Sequence, residues 1–177
     1  MRRVVITGIG AVSPLGLNAW DTWEQVFLGM SGMGPITAFS CVGWPTRFAA
    51  EVKGFELPKK SIQKSQASML TRASSFGVAA AYEAMSDSEL EGRVKAERFG
   101  ISIGASVGGI APISLARMLH GKASSTSIDV KQVSGTSNLL RNHPGILAGI
   151  LSARWGALGP VSTIQTACAS SGQSIGQ

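Results

Sequence analysis

Residues 161–172, Val-Ser-Thr-Ile-Gln-Thr-Ala-Cys-Ala-Ser-Ser-Gly, constrain this chain more than any other stretch. A β-prone run follows Gly159-Pro160, breaks into small residues around Cys168, and continues in a helix-compatible way. The order predicts a strand, a sharp turn and a helix, with a thiol exposed at the turn, the geometry of a nucleophile elbow. The first N–H groups of a helix lack backbone partners and carry partial positive charge. A thiolate held there is stabilised and serves as a nucleophile at neutral pH. Ala167, Ala169, Ser170 and Ser171 are small, so a bulky electrophile can approach the sulfur. Free cysteine also serves as a small buried hydrophobe, and spacing by itself leaves that reading standing.

The chain has 177 residues, enough for a domain with a sizeable core, and one domain spanning 1–177 is expected. With 44% apolar and only 15% charged residues, the composition is globular rather than disordered or fibrous. So low a charge fraction points to surface covered by further chain or a partner. A net charge of +6 favours acidic partners, but no compact Lys/Arg run suggests nucleic acid. Two cysteines, Cys41 and Cys168, make no disulfide framework, and a reactive thiol requires a reducing compartment. Two histidines and two cysteines show no metal-ligand spacing, so no metal is expected. The apolar run Val4-Val5-Ile6 is too short, and too soon broken by Gly8, for a signal or membrane segment. A soluble, cytoplasmic protein is expected.

Along the chain, Val4 to Ile6 is a buried-strand candidate ending at Thr7-Gly8-Ile9-Gly10. Asn18 or Asp21 caps a helix whose apolar stripe is Trp20, Trp23, Val26 and Phe27. Gly29, Gly32 and Gly34-Pro35 stop it. Residues 35–58 are irregular, with a short strand around 47–52, and Lys59, Lys60 and Lys64 precede a helix over about 66–85. Phe76, Ala79, Ala80, Ala84 and Met85 form its apolar side. Residues 93–98 are a polar linker, and a second buried strand from Phe99 runs into a glycine turn at Gly108-Gly109. A helix over 113–119 and a loop over 121–127 follow. Asn142-His143-Pro144 opens a further helix through Ile146, Leu147, Ile150 and Leu151. Residues 7–16, T-G-I-G-A-V-S-P-L-G, compete for a phosphate-binding role, yet they lack G-x-G-x-x-G spacing, and Pro14 removes a helix-opening donor.

T-A-C-A-S-S-G, soon after G-P-V-S-T-I, strongly resembles the nucleophile motif of the β-ketoacyl-acyl carrier protein synthases and their polyketide relatives. The opening V-V-I-T-G-I-G-A-V-S-P-L-G, Trp23 through Gly29, Ser31 and Gly32 resemble the start of that family. The glycine turn after Phe99 and the Asn142-His143-Pro144 segment are similar to further family segments, in the family's order. The resemblance covers essentially the whole chain. It implies an α/β thiolase-like fold, the N-terminal half of an α/β/α/β/α layered sandwich, usually homodimeric. It implies a condensing acyltransferase in which Cys168 is the nucleophile, and Val107 and Gly108 contribute to binding the acyl substrate. Substrates would ride on the phosphopantetheine of acyl carrier protein, with no separate cofactor. Lys59, Lys60 and Lys64 lie where relatives receive that acidic carrier, although Ala67, Ser68 and Met69 stand where relatives often carry cations. Carrier docking and plain surface charge both remain open there.

The family's catalytic histidines lie well downstream of the cysteine, and this sequence stops nine residues past Cys168. It is therefore expected to be a half that accepts an acyl group and cannot condense by itself. His143 is expected at a helix start or in the core, and His120 in a loop. Two alternatives stand beside the enzyme: a non-catalytic partner half of a ketosynthase dimer, and a thiolase acting on coenzyme A esters. Non-catalytic partners typically lack the cysteine, and T-A-C-A-S-S is more similar to the ketosynthases than to the thiolases.

Overall fold

Parallel strands cannot be joined by a tight turn, so a pairing between the two β-prone runs around 101 and 161 requires a crossover. The computed structural model, which describes residues 3–58, 61–106 and 141–177, contains that pairing. Elements in chain order are α1 (Ala19–Phe27), β1 (Met33–Pro35), β2 (Phe48–Ala50), α2 (Lys64–Ala67), α3 (Arg72–Ser88), β3 (Ile101–Gly104), α4 (Ile146–Trp155), β4 (Val161–Ile164) and α5 (Ser170–Gly176). Short 3-10 turns occupy Ala96–Arg98 and Ala167–Ala169. The chain divides into two compact units, residues 1–58 with 79–90 and residues 59–78 with 91–177. Among the described residues no helix is long and apolar enough to cross a membrane.

In the first unit, residues 8–11 lie along the C-terminal part of α3. A Cβ on Gly10 would collide with the Ala80 carbonyl, so only glycine permits this approach. The Ile9 N–H donates to Asp87 Oδ2 at 2.9 Å, and the Ala11 and Ala19 N–H groups donate to Glu83 Oε2 and Oε1 at 2.9 and 2.7 Å. One glutamate thus fastens both the glycine segment and the first residue of α1. Asn18 caps α1 as expected, its Oδ1 accepting the Asp21 N–H at 2.7 Å. The helix ends at Gly29, whose φ of +68° costs a residue without Cβ nothing.

Two expectations fail in this unit. Val4 to Ile6 form no strand among the described residues, and Val4 is 95% exposed. Apolar composition favours a strand only where a neighbour completes its hydrogen-bond ladder, and no described strand lies beside this one. The α1 stripe is also uncovered, with Trp20 73% and Phe27 79% exposed. Further on, the short strand expected around 47–52 is β2, paired antiparallel with β1 from Met33↔Ala50 to Pro35↔Phe48. Beside it Glu51 accepts from the Thr37 hydroxyl at 2.7 Å and from the Thr37 and Ala38 N–H groups at 3.0 Å each.

In the second unit, the single helix expected over 66–85 is two helices. The Ser68 hydroxyl donates to the Ser65 carbonyl at 2.7 Å as α2 ends, and Leu70 and Thr71 turn inward. Thr71 then starts α3, its Oγ1 accepting the Ser74 N–H at 3.2 Å, so a local cap overrides the continuous apolar periodicity. β3 pairs parallel with β4, from Ile101↔Val161 to Gly104↔Ile164. The crossover includes α4, which packs on both strands, and α5 packs on the same pair. Val78, Ala148, Ile150, Leu151 and Ala157 form the buried core. Gly156, at φ +61°, closes α4 through the Ala157 N–H on the Ser152 carbonyl at 3.0 Å.

Two measurements check this architecture. Leu151 is 2% exposed, so Leu151→Ala is expected to cost about 2–5 kcal/mol in urea unfolding followed by tryptophan emission. The hydrogen bonds from Thr37 and Ala38, led by the Thr37 hydroxyl, lower the Glu51 pKa from its ordinary 4.5. A carboxylate lowered by folding stabilises the fold above its unfolded value, and that contribution is lost as pH falls through the lower folded value. Amide exchange at Thr37 and Ala38 is therefore expected to accelerate as pH falls beneath the ordinary glutamate value, after correction for intrinsic rates, and Glu51→Gln is expected to abolish the pH dependence.

Candidate active site

β4 delivers the chain to the elbow. After Ile164 the backbone turns at Gln165 and Thr166, enters the left-handed region at Ala167 (φ +51°), and passes through the 3-10 turn into α5. Ala167 is one of two non-glycine residues with positive φ among those described. Its small side chain makes that conformation tolerable, though still costly. Cys168 sits in the turn with its side chain exposed, two residues before α5 begins. The thiol is therefore a solvent-facing group at the end of a strand, as the elbow reading expects, rather than a core residue. Among the described residues the Cys168 N–H donates to nothing, and no side chain hydrogen-bonds its sulfur.

The turn is held from beneath. Ser170, 2% exposed, accepts the Thr166 N–H on its Oγ at 2.8 Å. The same Oγ lies 2.9 Å from the Ala105 carbonyl and 2.8 Å from the Ala167 carbonyl, and its one proton serves both. Thr166 Oγ1 donates to Gln173 Oε1 at 2.6 Å, bracing the turn against α5. A Cβ at Gly104 would lie 2.6 Å from the Ser170 carbonyl, so glycine at the end of β3 lets α5 seat against the strand. Sequence reading marked Ser170 only as small. The residue four positions after Thr166 could have been found by asking what accepts the N–H groups of so tight a turn.

Cys41 is half-buried in the first unit, its sulfur 3.7 Å from the Phe39 carbonyl, at no strand-to-helix turn. His143 Nδ1 accepts the Gly145 N–H at 3.1 Å just before α4, which places it at a helix start. Val107, Gly108, His120, Lys59 and Lys60 lie outside the described residues, as do the expected helix over 113–119 and loop over 121–127. Lys64 is exposed on α2. The phosphate-loop reading of residues 7–16 fails on electrostatics. The N–H groups of Ile9 and Ala11 already donate to Asp87 and Glu83, whose carboxylates repel a phosphate.

A thiol exposed on a strand–turn–helix elbow, with small residues around it, defines the thiol-nucleophile class of α/β proteins. Comparison with known proteins narrows that class. The family model for the β-ketoacyl synthase N-terminal domain matches residues 1–177. The 3-oxoacyl-[acyl-carrier-protein] synthase 2 of Coxiella burnetii is 35% identical over 99% of the chain, and the chain spans 41% of that relative. The ishigamide ketosynthase/chain length factor superposes with a TM-score of 0.76 at 27% identity, over 93% of this chain and 40% of its own. A β-ketoacyl synthase from Burkholderia phymatum gives 0.74 at 26% identity, over 99% and 42%. The chain belongs to the β-ketoacyl synthase family, as an N-terminal domain with the thiolase-like fold. It spans about two-fifths of the length of the curated relatives it matches.

Gly104→Ala tests the seating of α5. The added methyl has backbone, not a flexible side chain, as its neighbour, so a loss of about 1–3 kcal/mol in unfolding free energy is expected.

Proposed function

We propose that this chain supplies the acyl-accepting nucleophile of a decarboxylating condensing enzyme. The observation that carries the reading is the exposed Cys168 at the elbow of a β-ketoacyl synthase N-terminal domain. The Cys168 thiolate attacks the carbonyl of an acyl thioester carried by acyl carrier protein. The carrier thiolate leaves, and the acyl group remains on Cys168. A thiolate suits both halves of the task, being a good nucleophile and a good leaving group. The Cys168 N–H, which has no acceptor among the described residues, supplies one hydrogen bond to the oxyanion that forms during attack.

In the complete reaction a malonyl-carrier thioester loses carbon dioxide, and the resulting carbanion attacks the acyl-cysteine carbonyl. The Cys168 thiolate is expelled, and a 3-ketoacyl thioester remains on the carrier, in fatty acid or polyketide synthesis. The substrates ride on phosphopantetheine, and no further cofactor enters. Val107 and Gly108 contribute to binding the acyl substrate in this reading. Acyl carrier protein is the proposed partner, the complete protein is a cytoplasmic homodimer, and the domain comprises residues 1–177. Similarity to 3-oxoacyl-[acyl-carrier-protein] synthase 2 supports the carrier as acyl donor. The presence of Cys168 favours this reading over a non-catalytic partner half.

Decarboxylation needs hydrogen-bond donors for the nascent enolate, which a thiolate does not supply. Incubated with an acyl-carrier thioester, the 177-residue chain is expected to gain one acyl group on Cys168 by peptide-mapping mass spectrometry. Cys168→Ala is expected to gain none and Cys41→Ala to match the parent. With malonyl-carrier added, these residues alone are expected to release no 3-ketoacyl product. Labelling of Cys41 and Cys168 at equal slow rates would refute the nucleophile assignment, and steady product formation would refute the division of labour.

A further inference from the structure

We propose that Ser170 is the positioning residue of the Cys168 thiol, acting through the left-handed turn at Ala167. The inference rests on the reading of Cys168 as a nucleophile and adds a residue to which that reading gives no role. Three backbone groups, two from the turn and one from beyond β3, converge on the Ser170 hydroxyl. The Thr166 N–H lies before the thiol, the Ala167 carbonyl belongs to the peptide that joins Ala167 to Cys168, and the Ala105 carbonyl lies just past β3. At 2% exposure, water does not substitute for the hydroxyl.

Ala167 has no intrinsic reason to stay at φ +51°, since a residue with a Cβ prefers negative φ. Backbone bonds of the 3-10 turn, from the Ala169 N–H to the Thr166 carbonyl at 3.2 Å and from the Ser170 N–H to the Ala167 carbonyl, add to the hold. The Ser170 hydroxyl ties both flanks of Ala167, the Thr166 N–H and its own carbonyl, to one buried oxygen. That oxygen is in turn tied to the strand through Ala105. The Thr166–Gln173 bond holds the Thr166 side chain and leaves the Ala167 peptide unconstrained. Remove the hydroxyl, and the turn relaxes toward negative φ, rotating the peptide plane ahead of Cys168. The sulfur and the Cys168 N–H then swing off the line on which an incoming carbonyl is attacked. Ser170 touches no substrate in this account. It fixes where the nucleophile points.

Iodoacetamide reads that aim directly: the Cys168 thiolate forms a sulfur–carbon bond and iodide leaves. The rate constant for Cys168, followed against pH by peptide-mapped mass spectrometry on the full chain, is compared among the parent, Ser170→Ala, Ser170→Thr and Ile150→Val. Ile150→Val serves as a core control remote from the elbow in sequence, and conditions are chosen where circular dichroism shows each variant folded. Ser170→Ala is expected to lower the high-pH plateau about tenfold or more with the midpoint unmoved, because misplacement of a reacting atom reduces the rate at fixed ionisation. Ser170→Thr, which keeps the hydroxyl, and Ile150→Val are expected to stay near the parent. An unchanged plateau in Ser170→Ala, an equal fall in Ile150→Val, or a moved midpoint with the plateau kept would each overturn the proposal.

Hydrogen exchange on the parent chain keeps the test open if Ser170→Ala fails to fold. The Thr166 amide is expected to exchange about tenfold or more slowly than the Cys168 amide, relative to their intrinsic rates, and equal protection overturns the proposal. Acyl-carrier thioester provides the separating arm. Failure of the parent to become acylated sinks the acyl-acceptor reading. Acylation of the parent with Ser170→Ala equally fast sinks the role of Ser170 alone.

Discussion

The parallel pairing of β3 with β4 is the constraint on which the site depends. It joins residues about sixty positions apart, from Ile101↔Val161 to Gly104↔Ile164, and so fixes where both strands end. The elbow hangs from one of those ends. Gly104 leaves room for α5 to start against the strand, and the Ser170 hydroxyl closes the remaining gap by binding the Ala105 carbonyl. A thiol on a free turn would sample many directions. Anchoring the turn to a two-strand ladder narrows them.

Among the described residues, polar side chains serve the backbone more than one another. Glu83 and Asp87 satisfy N–H groups of the glycine segment and of α1, Glu51 satisfies those of Thr37 and Ala38, and Ser170 satisfies that of Thr166. Irregular segments have donors that no helix or ladder pairs, and each such donor left unpaired in a partly buried place destabilises the fold. Glu51, Glu83 and Asp87, three of the chain's ten acidic residues, go to these positions. The chain's scarcity of charge, at only 15% of residues, has a counterpart at the surface. Val4, Ile6, Trp20, Trp23 and Phe27 are exposed in the first unit, in line with the expectation that some surface of so apolar a chain calls for cover.

Much of the site was legible in advance because its determinants are local. A β-prone run, small residues around one cysteine and a helix-compatible continuation lie within twelve consecutive residues, and the strand–turn–helix followed. The Asn18 cap, the stop at Gly29 and the start of α4 after Pro144 are likewise decided within a turn or two of chain. What misled was periodicity without context. The alanine-rich stretch over 66–85 carries a helix pattern throughout, yet Thr71 starts a new helix within it. Val4 to Ile6 have strand composition without a described neighbour to complete a strand.

The sequence by itself determined the family and the elbow, because a motif and its local turn chemistry are written in adjacent residues. Tertiary structure decided three things that adjacency does not encode. It assigned Glu83 to amides some seventy positions away, it turned the glycines of residues 8–10 from a phosphate-loop candidate into a packing surface for α3, and it made Ser170 a clamp. Each of these depends on which backbone groups come within about 3 Å of one another after folding. Residues far apart in the chain reach that distance only through the sheet and helix packing that carries them there.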